Sequence, residues 1–340
     1  MLVQFLKSLA VLISVIILVS YIVLSSPVDP ARLTFGQRLD ESALLVKKQE
    51  LRLDKPVSSQ IMAYLADISP LMISQSDFKN VLIKIPLGVS DIQLKWPYFR
   101  FSYQSGRSVL SLVMDALPKT LILAFTSILL AVIVGIGLGL LSALNKGKFL
   151  DGILLTLSTL GISLPSYVTA MIFALVFGFI LKDFTGLNIQ GSIFELNDIG
   201  DPVIVWKNLI LPSLALGIRP VAIFTQLSRA IFIDIFKMDY IKTAKAKGME
   251  FSEIVKKHVF RNSANPLATS ISGWFASLLA GAFFVEYVFN FKGIGSLTIN
   301  ALLQYDVPVL LACLIFVSTV FILINLTMEW VYRRIDPRIR

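Results

Sequence analysis

The chain has 340 residues, 56% of them apolar, and 31 Lys and Arg against 22 Asp and Glu give a formal charge of +9. The apolar residues fall in long uncharged blocks rather than at amphipathic spacing, which excludes an ordinary water-soluble domain. In a soluble protein such a positive excess would point to nucleic acid; here the charges cluster in short connections between apolar blocks, and nucleic acid drops out as a partner.

A helix needs about 20 apolar residues to cross hydrocarbon, because every backbone amide must be bonded internally where there is no water. Six stretches meet that length: Ser8 to Val28, Ala116 to Leu144, Ile153 to Leu181, Asn208 to Ile233, Pro266 to Phe289 and Val307 to Met328. The first follows Lys7 as a secretory signal would. It is too long for one and no small-x-small site precedes Pro27, so residues 1–28 read as a retained anchor. With the N-terminus inside, the inner connections carry fourteen Lys and Arg and the short outer ones three, Lys182, Lys207 and Lys292. That asymmetry places both termini in the cytoplasm. The single cysteine, Cys313, lies in the sixth stretch and leaves no internal disulfide.

Residues 29–115 then face outward, and a segment of that length needs structure of its own. Asp40, Glu41 and Ser42 ahead of Leu44, Leu45, Val46 and Leu51, followed by Ile61, Met62, Tyr64 and Leu65, predict helices. Alternation of Val81, Ile83, Ile85 and Leu87, then Ile92, Leu94 and Trp96, on either side of Gly88 predicts a hairpin. The expected fold is an all-α membrane protein of six transmembrane helices, N-in/C-in. It carries an outward α/β segment between helices 1 and 2, a five-helix core over residues 116–333 and a cytoplasmic tail over 334–340.

Within the core, Gly135, Gly137 and Gly139 make a small-residue face whose GxxxG spacing reads first as close helix packing. Pro165, Pro212 and Pro220 sit inside spans and are expected to bend or unwind them. Arg219 is the ionisable residue nearest a span midpoint. It is the candidate pathway residue, able to meet a solute's carboxylate, and equally able to pair with a neighbouring subunit. Glu286 and Glu329 lie near span ends, where exposure at the interface is expected.

The cytoplasmic connection over residues 234–265 has a design of its own. Asp239 is expected to cap a short helix, Tyr240 to Lys247 to make about two turns, and Gly248 to end it in the left-handed conformation. A second helix is expected from Ser252 through Val259, with Asn265 capping and Pro266 opening the fifth span. A short projecting helix followed by a sharp turn is shaped for a groove on another protein. Its basic residues, Lys242, Lys245, Lys247, Lys256, Lys257 and Arg261, would also serve anionic lipid headgroups. The single histidine, His258, has no second ligand at metal spacing.

The run from Asp239 to Gly248, Asp-Tyr-Ile-Lys-Thr-Ala-Lys-Ala-Lys-Gly, followed by Arg261-Asn262 and Pro266, resembles the coupling loop of binding-protein-dependent ABC transporter permeases of the dipeptide and oligopeptide branch. The likeness extends through Gly106-Arg-Ser-Val, Leu117-Pro-Lys-Thr-Leu121, Leu211-Pro212, Val285-Glu286 with Phe289, Gly293-Ile-Gly295, and the closing Asp336-Pro-Arg-Ile-Arg340. It takes in the anchor and Leu51-Arg-Leu-Asp-Lys-Pro56 as well, and so covers nearly the whole chain. The sequence departs from the wider family where Lys242-Thr243-Ala244 replaces Glu-Ala-Ala, where Gln226 stands for arginine and Arg52 for glycine, and in an expanded stretch from about Asp67 to Trp96.

The resemblance implies a multi-pass protein of a bacterial inner membrane that forms half of a pathway for peptides or similar small solutes. It implies a second homologous permease, two ATP-binding subunits holding ATP and Mg, an external solute-binding protein and surrounding membrane lipid as partners. The coupling residues would be Asp239, Tyr240, Lys242, Thr243, Ala244, Lys245, Ala246, Lys247 and Gly248, with Ala244 and Gly248 giving close fit and turning. The chain has no GxxxxGK[ST] phosphate loop, so ATP hydrolysis belongs elsewhere, and neither cofactor nor metal is expected here. An ion-coupled secondary transporter would show paired broken helices with polar residues at the midplane and an inverted repeat, and only Arg219 fits. An intramembrane enzyme would need HExxH, GxSxG or facing aspartates, none of which occurs.

Overall fold

In the computed structural model residues 2–25, 41–51, 53–74, 81–87 and 90–335 are described, and they fall into two compact units. Asp40, Arg52, Gly88 and residues 336–340, used in the sequence argument, lie outside the described residues.

One unit takes in residues 1–116 and 297–318. Its elements are α1 (Leu2–Leu24), α2 (Glu41–Glu50), α3 (Val57–Ile68), β1 (Leu71–Ser74), β2 (Val81–Leu87) and β3 (Ser90–Lys95). Both helices and the β2–β3 hairpin were legible in the stretch that follows α1; β1, Leu71-Met-Ile-Ser74 after Pro70, was not. It adds to β3, giving an antiparallel sheet in the order β1-β3-β2. Inside this unit the ring of Tyr64 is 3% exposed, with the Arg100 guanidinium 5.3 Å from its centroid. Burial pushes the Tyr64 hydroxyl well above the ordinary tyrosine range. Arg100 in turn pairs with Asp67 at 2.7 Å. Asp306 accepts from Ser102 Oγ at 2.5 Å and from the Tyr103 amide at 3.1 Å.

The other unit takes in residues 117–296 and 319–340. Here run most of α4 (Val109–Leu144), then α5 (Phe149–Ser163) and α6 (Ser166–Phe173), the latter continued by a π-helical stretch over Ala174–Ile180. After α7 (Lys182–Thr185) come the short strands β4 (Phe194–Leu196) and β5 (Pro202–Ile204), which pair antiparallel. The remaining elements are α8 (Lys207–Phe236), α9 (Asp239–Ala246), α10 (Phe251–Ile254) with a π stretch over Val255–Phe260, α11 (Arg261–Val288), α12 (Ile294–Leu303) and α13 (Val307–Ile335).

By length and composition three helices can cross a membrane: α4, α8 and residues 307–327 of α13. Counting each bent pair as one span gives five, and Leu9–Leu24 is a shorter apolar helix. The third expected span is therefore not one helix. Pro165 holds the preceding Leu164 extended at ψ 128°, and the axis turns by 105° between α5 and α6. Pro212 and Pro220 behave differently: α8 stays a single helix through both. Asn265 and Pro266, expected to open the fifth span, lie inside α11, because the helix arrives already wound from the π stretch before it.

The centre of this unit is α8, with Leu211, Ala215, Leu216 and Phe224 almost wholly buried among Leu123, Leu278, Val285 and Phe289. Small residues on both neighbours let it in. A Cβ added at Gly135 would come within 2.8 Å of Phe224 Cβ, and one at Gly139 would collide with Ser228 Oγ. On α5, Gly161 leaves 3.1 Å to Ala222 Cβ. Gly135 and Gly139 are thus packing residues, while Gly137 between them is exposed with open space beside it.

Candidate functional site

The chain leaves α8 at Phe236, and Met238, extended at ψ 146°, takes the N-cap position of α9. Asp239 is the first helical residue rather than the cap. Its carboxylate takes Lys242 Nζ at 2.8 Å instead, at the helix end whose free amides favour negative charge. Along α9 the burial is one-sided. Ile241 is 0% exposed and packs with Phe232, Ile233, Ile235, Ile254, Val259, Leu267 and Ala143, the ends of α8, α10, α11 and α4. Ala244 belongs to this buried set and packs into the chain's own core rather than on the exposed face. The exposed face carries Asp239, Tyr240, Lys242, Thr243, Lys245, Ala246 and Lys247.

The end of α9 is a complete Schellman turn. Gly248 has φ +76°, its amide donates to Lys245 O at 3.0 Å, the Met249 amide donates to Ala244 O at 3.2 Å, and Met249 packs on the buried cluster. Only glycine adopts that φ without strain. No heavy atom beyond its immediate chain neighbours lies within 4 Å of a Cβ built there, so the far side of the turn is open. The rest of the loop folds back: Phe251 stacks on Phe236 at 6.1 Å, the Tyr240 and His258 rings lie 6.1 Å apart, and Lys257 pairs with Glu253 at 3.0 Å.

Beside this loop lies a group the sequence reading passed over. Asp151, 3% exposed at the start of α5, accepts from Arg229 Nε at 2.6 Å and Nη2 at 2.7 Å, from Ser142 Oγ at 2.5 Å and from the Gly147 amide at 2.8 Å. One carboxylate thereby ties the end of α4, the turn after it and the last third of α8. The signal was a lone Asp two residues inside an apolar helix start, and an Arg in a span otherwise free of charge beyond Arg219.

Arg219 itself is exposed on α8, its guanidinium 5.9 Å from the ring centroid of Trp274 on α11. Glu286 departs from expectation. It is not at an exposed interface but 0% accessible, accepting from Thr120 Oγ1 at 2.7 Å and the Ser296 amide at 3.1 Å, while the same Thr120 hydroxyl accepts from the Ile294 amide at 2.8 Å. Gly293 and Gly295 make room for it: a Cβ at Gly293 would stand 2.5 Å from Glu286 Oε2, and one at Gly295 would stand 2.9 Å away. The side chain of Glu329 lies outside the described residues. No group of three or more His, Cys, Asp or Glu able to hold a metal occurs among the described residues.

Residues 135–340 match the family described as "Binding-protein-dependent transport system inner membrane component", and residues 1–124 match the N-terminal segment of the same systems' membrane components. The glutathione transport system permease protein GsiC of Escherichia coli is 32% identical over 314 residues, covering 92% of this chain and 90% of the relative. GsiC of Salmonella choleraesuis is 31% identical over 329 residues, covering 97% and 94%. Among solved structures, an inward-facing form of the MetNI methionine ABC transporter superposes with a TM-score of 0.54 at 14% identity, over 67% of this chain and 97% of that one, a likeness of fold. The chain belongs to the binding-protein-dependent transport system inner membrane components, and is a multi-pass permease that forms part of the translocation pathway of an ABC importer of the peptide-type branch.

Proposed function

We propose that the chain forms half of an importer's pathway for peptides or similar small solutes, and that α9 with the turn at Gly248 seats in a separate ATP-binding subunit. The observation that carries this is the two-sidedness of α9: Ile241 and Ala244 are locked into the ends of four helices, while Tyr240, Lys242, Thr243, Lys245 and Lys247 are exposed. A lever needs both a fixed side and an open one. Closure of the ATP-binding subunits around ATP and Mg would push the free face, and the buried cluster would carry the displacement to α4, α8 and α11 together.

In this reading α1, α4, the bent pair α5–α6, α8, α11 and α13 are the six spans. Both termini and the loop over residues 234–265 are cytoplasmic, residues 29–115 lie outside, and residues 334–340 form the tail. A second homologous permease supplies the other half of the pathway, and an external solute-binding protein delivers cargo. Likeness to glutathione permeases supports a small peptide or glutathione-like solute as that cargo. Arg219, exposed on α8, is the cation we assign to the pathway for a cargo carboxylate.

Co-purification of the tagged chain from native membranes in mild detergent, with mass spectrometry of its companions, tests the assembly. The expected result is a second permease and two ATP-binding subunits, with the latter lost from a Gly248→Trp variant that still folds. Recovery of the chain alone, with uptake persisting after ATP depletion, would overturn the reading in favour of an ion-coupled transporter.

A further inference from the structure

The outward sheet leaves much of its apolar side uncovered. Residues directly opposite each other across strands share a face, and successive residues alternate between faces. Leu94 of β3 stands opposite Leu71 of β1 and Ile83 of β2, and Ile92 stands opposite Ile85, so all five project to one side. The other side carries Gln93 opposite Lys84. In a soluble antiparallel sheet the polar side faces water. Here Gln93 is 0% and Lys95 3% exposed, with Lys95 Nζ donating to Ala66 O of α3 at 2.7 Å, and of the polar residues named only Lys84, paired with Asp91 at 3.1 Å, is exposed, whereas Leu71, Ile83 and Ile85 are 54–60% exposed and Ile92 and Leu94 half-buried. Burial against α3 draws the Lys95 ammonium below its ordinary pKa.

We infer that the apolar side of this sheet rests on the outer leaflet of the bilayer. Three observations favour lipid over a protein partner. The five residues are all Leu or Ile with no hydrogen-bonding group among them, whereas protein docking faces mix aromatic and polar contacts around their core. The strand runs straight into Trp96 and Tyr98, both exposed, the pair of residue types that collects at the headgroup level. A groove of about 460 Å³ lined by Val81, Leu82, Trp96, Tyr98, Ser108 and Leu110 joins the sheet to the first turn of α4, where Leu110 and Met114 continue the exposed apolar surface onto a helix long enough to cross the membrane. The sheet thus prolongs the lipid-facing surface of α4. The choice of leaflet rests on the orientation proposed above.

The test uses Ile83→Cys, Ile85→Cys and Lys84→Cys, each with Cys313→Ala to remove the one native thiol, labelled with a small fluorophore in the assembled importer in nanodiscs. Brominated phosphatidylcholine should remove most of the emission at positions 83 and 85 but little at 84, with iodide showing the reverse order and the solute-binding protein changing none of it. Equal quenching by iodide at all three positions would overturn the inference by showing the face bare in water. Loss of bromine quenching on adding the solute-binding protein, or its absence only when the second permease is present, would overturn it in favour of a protein cover. An impermeant maleimide separates the premises: if it reaches Ile85→Cys from the cytoplasmic side, orientation and inference fall together, whereas outer labelling with no bromine effect removes the inference alone.

Discussion

Asp151 and Glu286 are both carboxylates with almost no exposure, and α4 places their partners far apart: Ser142 serves one and Thr120 the other, about 33 Å along a helix rising 1.5 Å per residue. They are satisfied by opposite means. Asp151 has a guanidinium on both oxygens plus a hydroxyl and an amide, so its charge is matched by a fixed cation. Glu286 accepts hydrogen bonds from neutral groups, a hydroxyl and backbone amides at the start of α12. A charge pair makes a strut whose parts fail separately; a carboxylate read by amides holds the shape of a loop, and glycine is required wherever that loop approaches it.

The largest effect should follow from halving the strut. Arg229→Ala leaves Asp151 buried and unmatched and should cost about 3–5 kcal/mol, while the joint change Asp151→Leu with Arg229→Met should recover most of it. Thermal unfolding of the purified protein in detergent measures both, and equal loss in the two variants would show that the ion pair is not what matters there. At the other end, Gly293→Ala puts a methyl 2.5 Å from Glu286 Oε2 and Thr120 Oγ1 and should cost about 1–3 kcal/mol by overpacking. Glu286→Gln, which turns one acceptor into a donor facing donors, should cost a similar ~1–3 kcal/mol, and a neutral result would mean the loop does not read the carboxylate. The smallest effect is expected in the unit that holds α3 and the three-stranded sheet. The Tyr64 hydroxyl is buried without a partner among the described residues, so Tyr64→Phe should be neutral or stabilise by up to about 1 kcal/mol. A clear loss on the same melting assay would mean that the hydroxyl has a partner.

Legibility followed sequence distance. The long apolar helices α4, α8 and α13, the paired strands β2 and β3 and the helix ending at Gly248 are local: apolar length, alternation and a left-handed turn each sit within a few residues. Glu286 was misread because its hydroxyl partner is 166 residues away, and Asp151 was missed because Arg229 is 78 away. Pro266 misled for a different reason. An Asn-Pro pair usually opens a helix, but here the winding comes in through the π stretch at Val255–Phe260 and runs through it. The motif does not say which way Ala244 faces; the packing of Ile254, Val259 and Leu267 beneath α9 turns it inward.

In the role proposed above, α9 and its turn transmit the work of ATP hydrolysis, which cargo uptake and ATP hydrolysis measured side by side in proteoliposomes reconstituted with the importer would test. Gly248→Ala and Gly248→Trp share the cost of a side chain at φ +76°, about 1–2 kcal/mol, but only Trp fills the open side of the turn. Ala should leave uptake partly intact, while Trp, which no longer holds the ATP-binding subunits, should abolish uptake and hydrolysis together, with the melting temperature of the chain unchanged relative to Ala. Uptake by Gly248→Trp at the wild-type rate would contradict it.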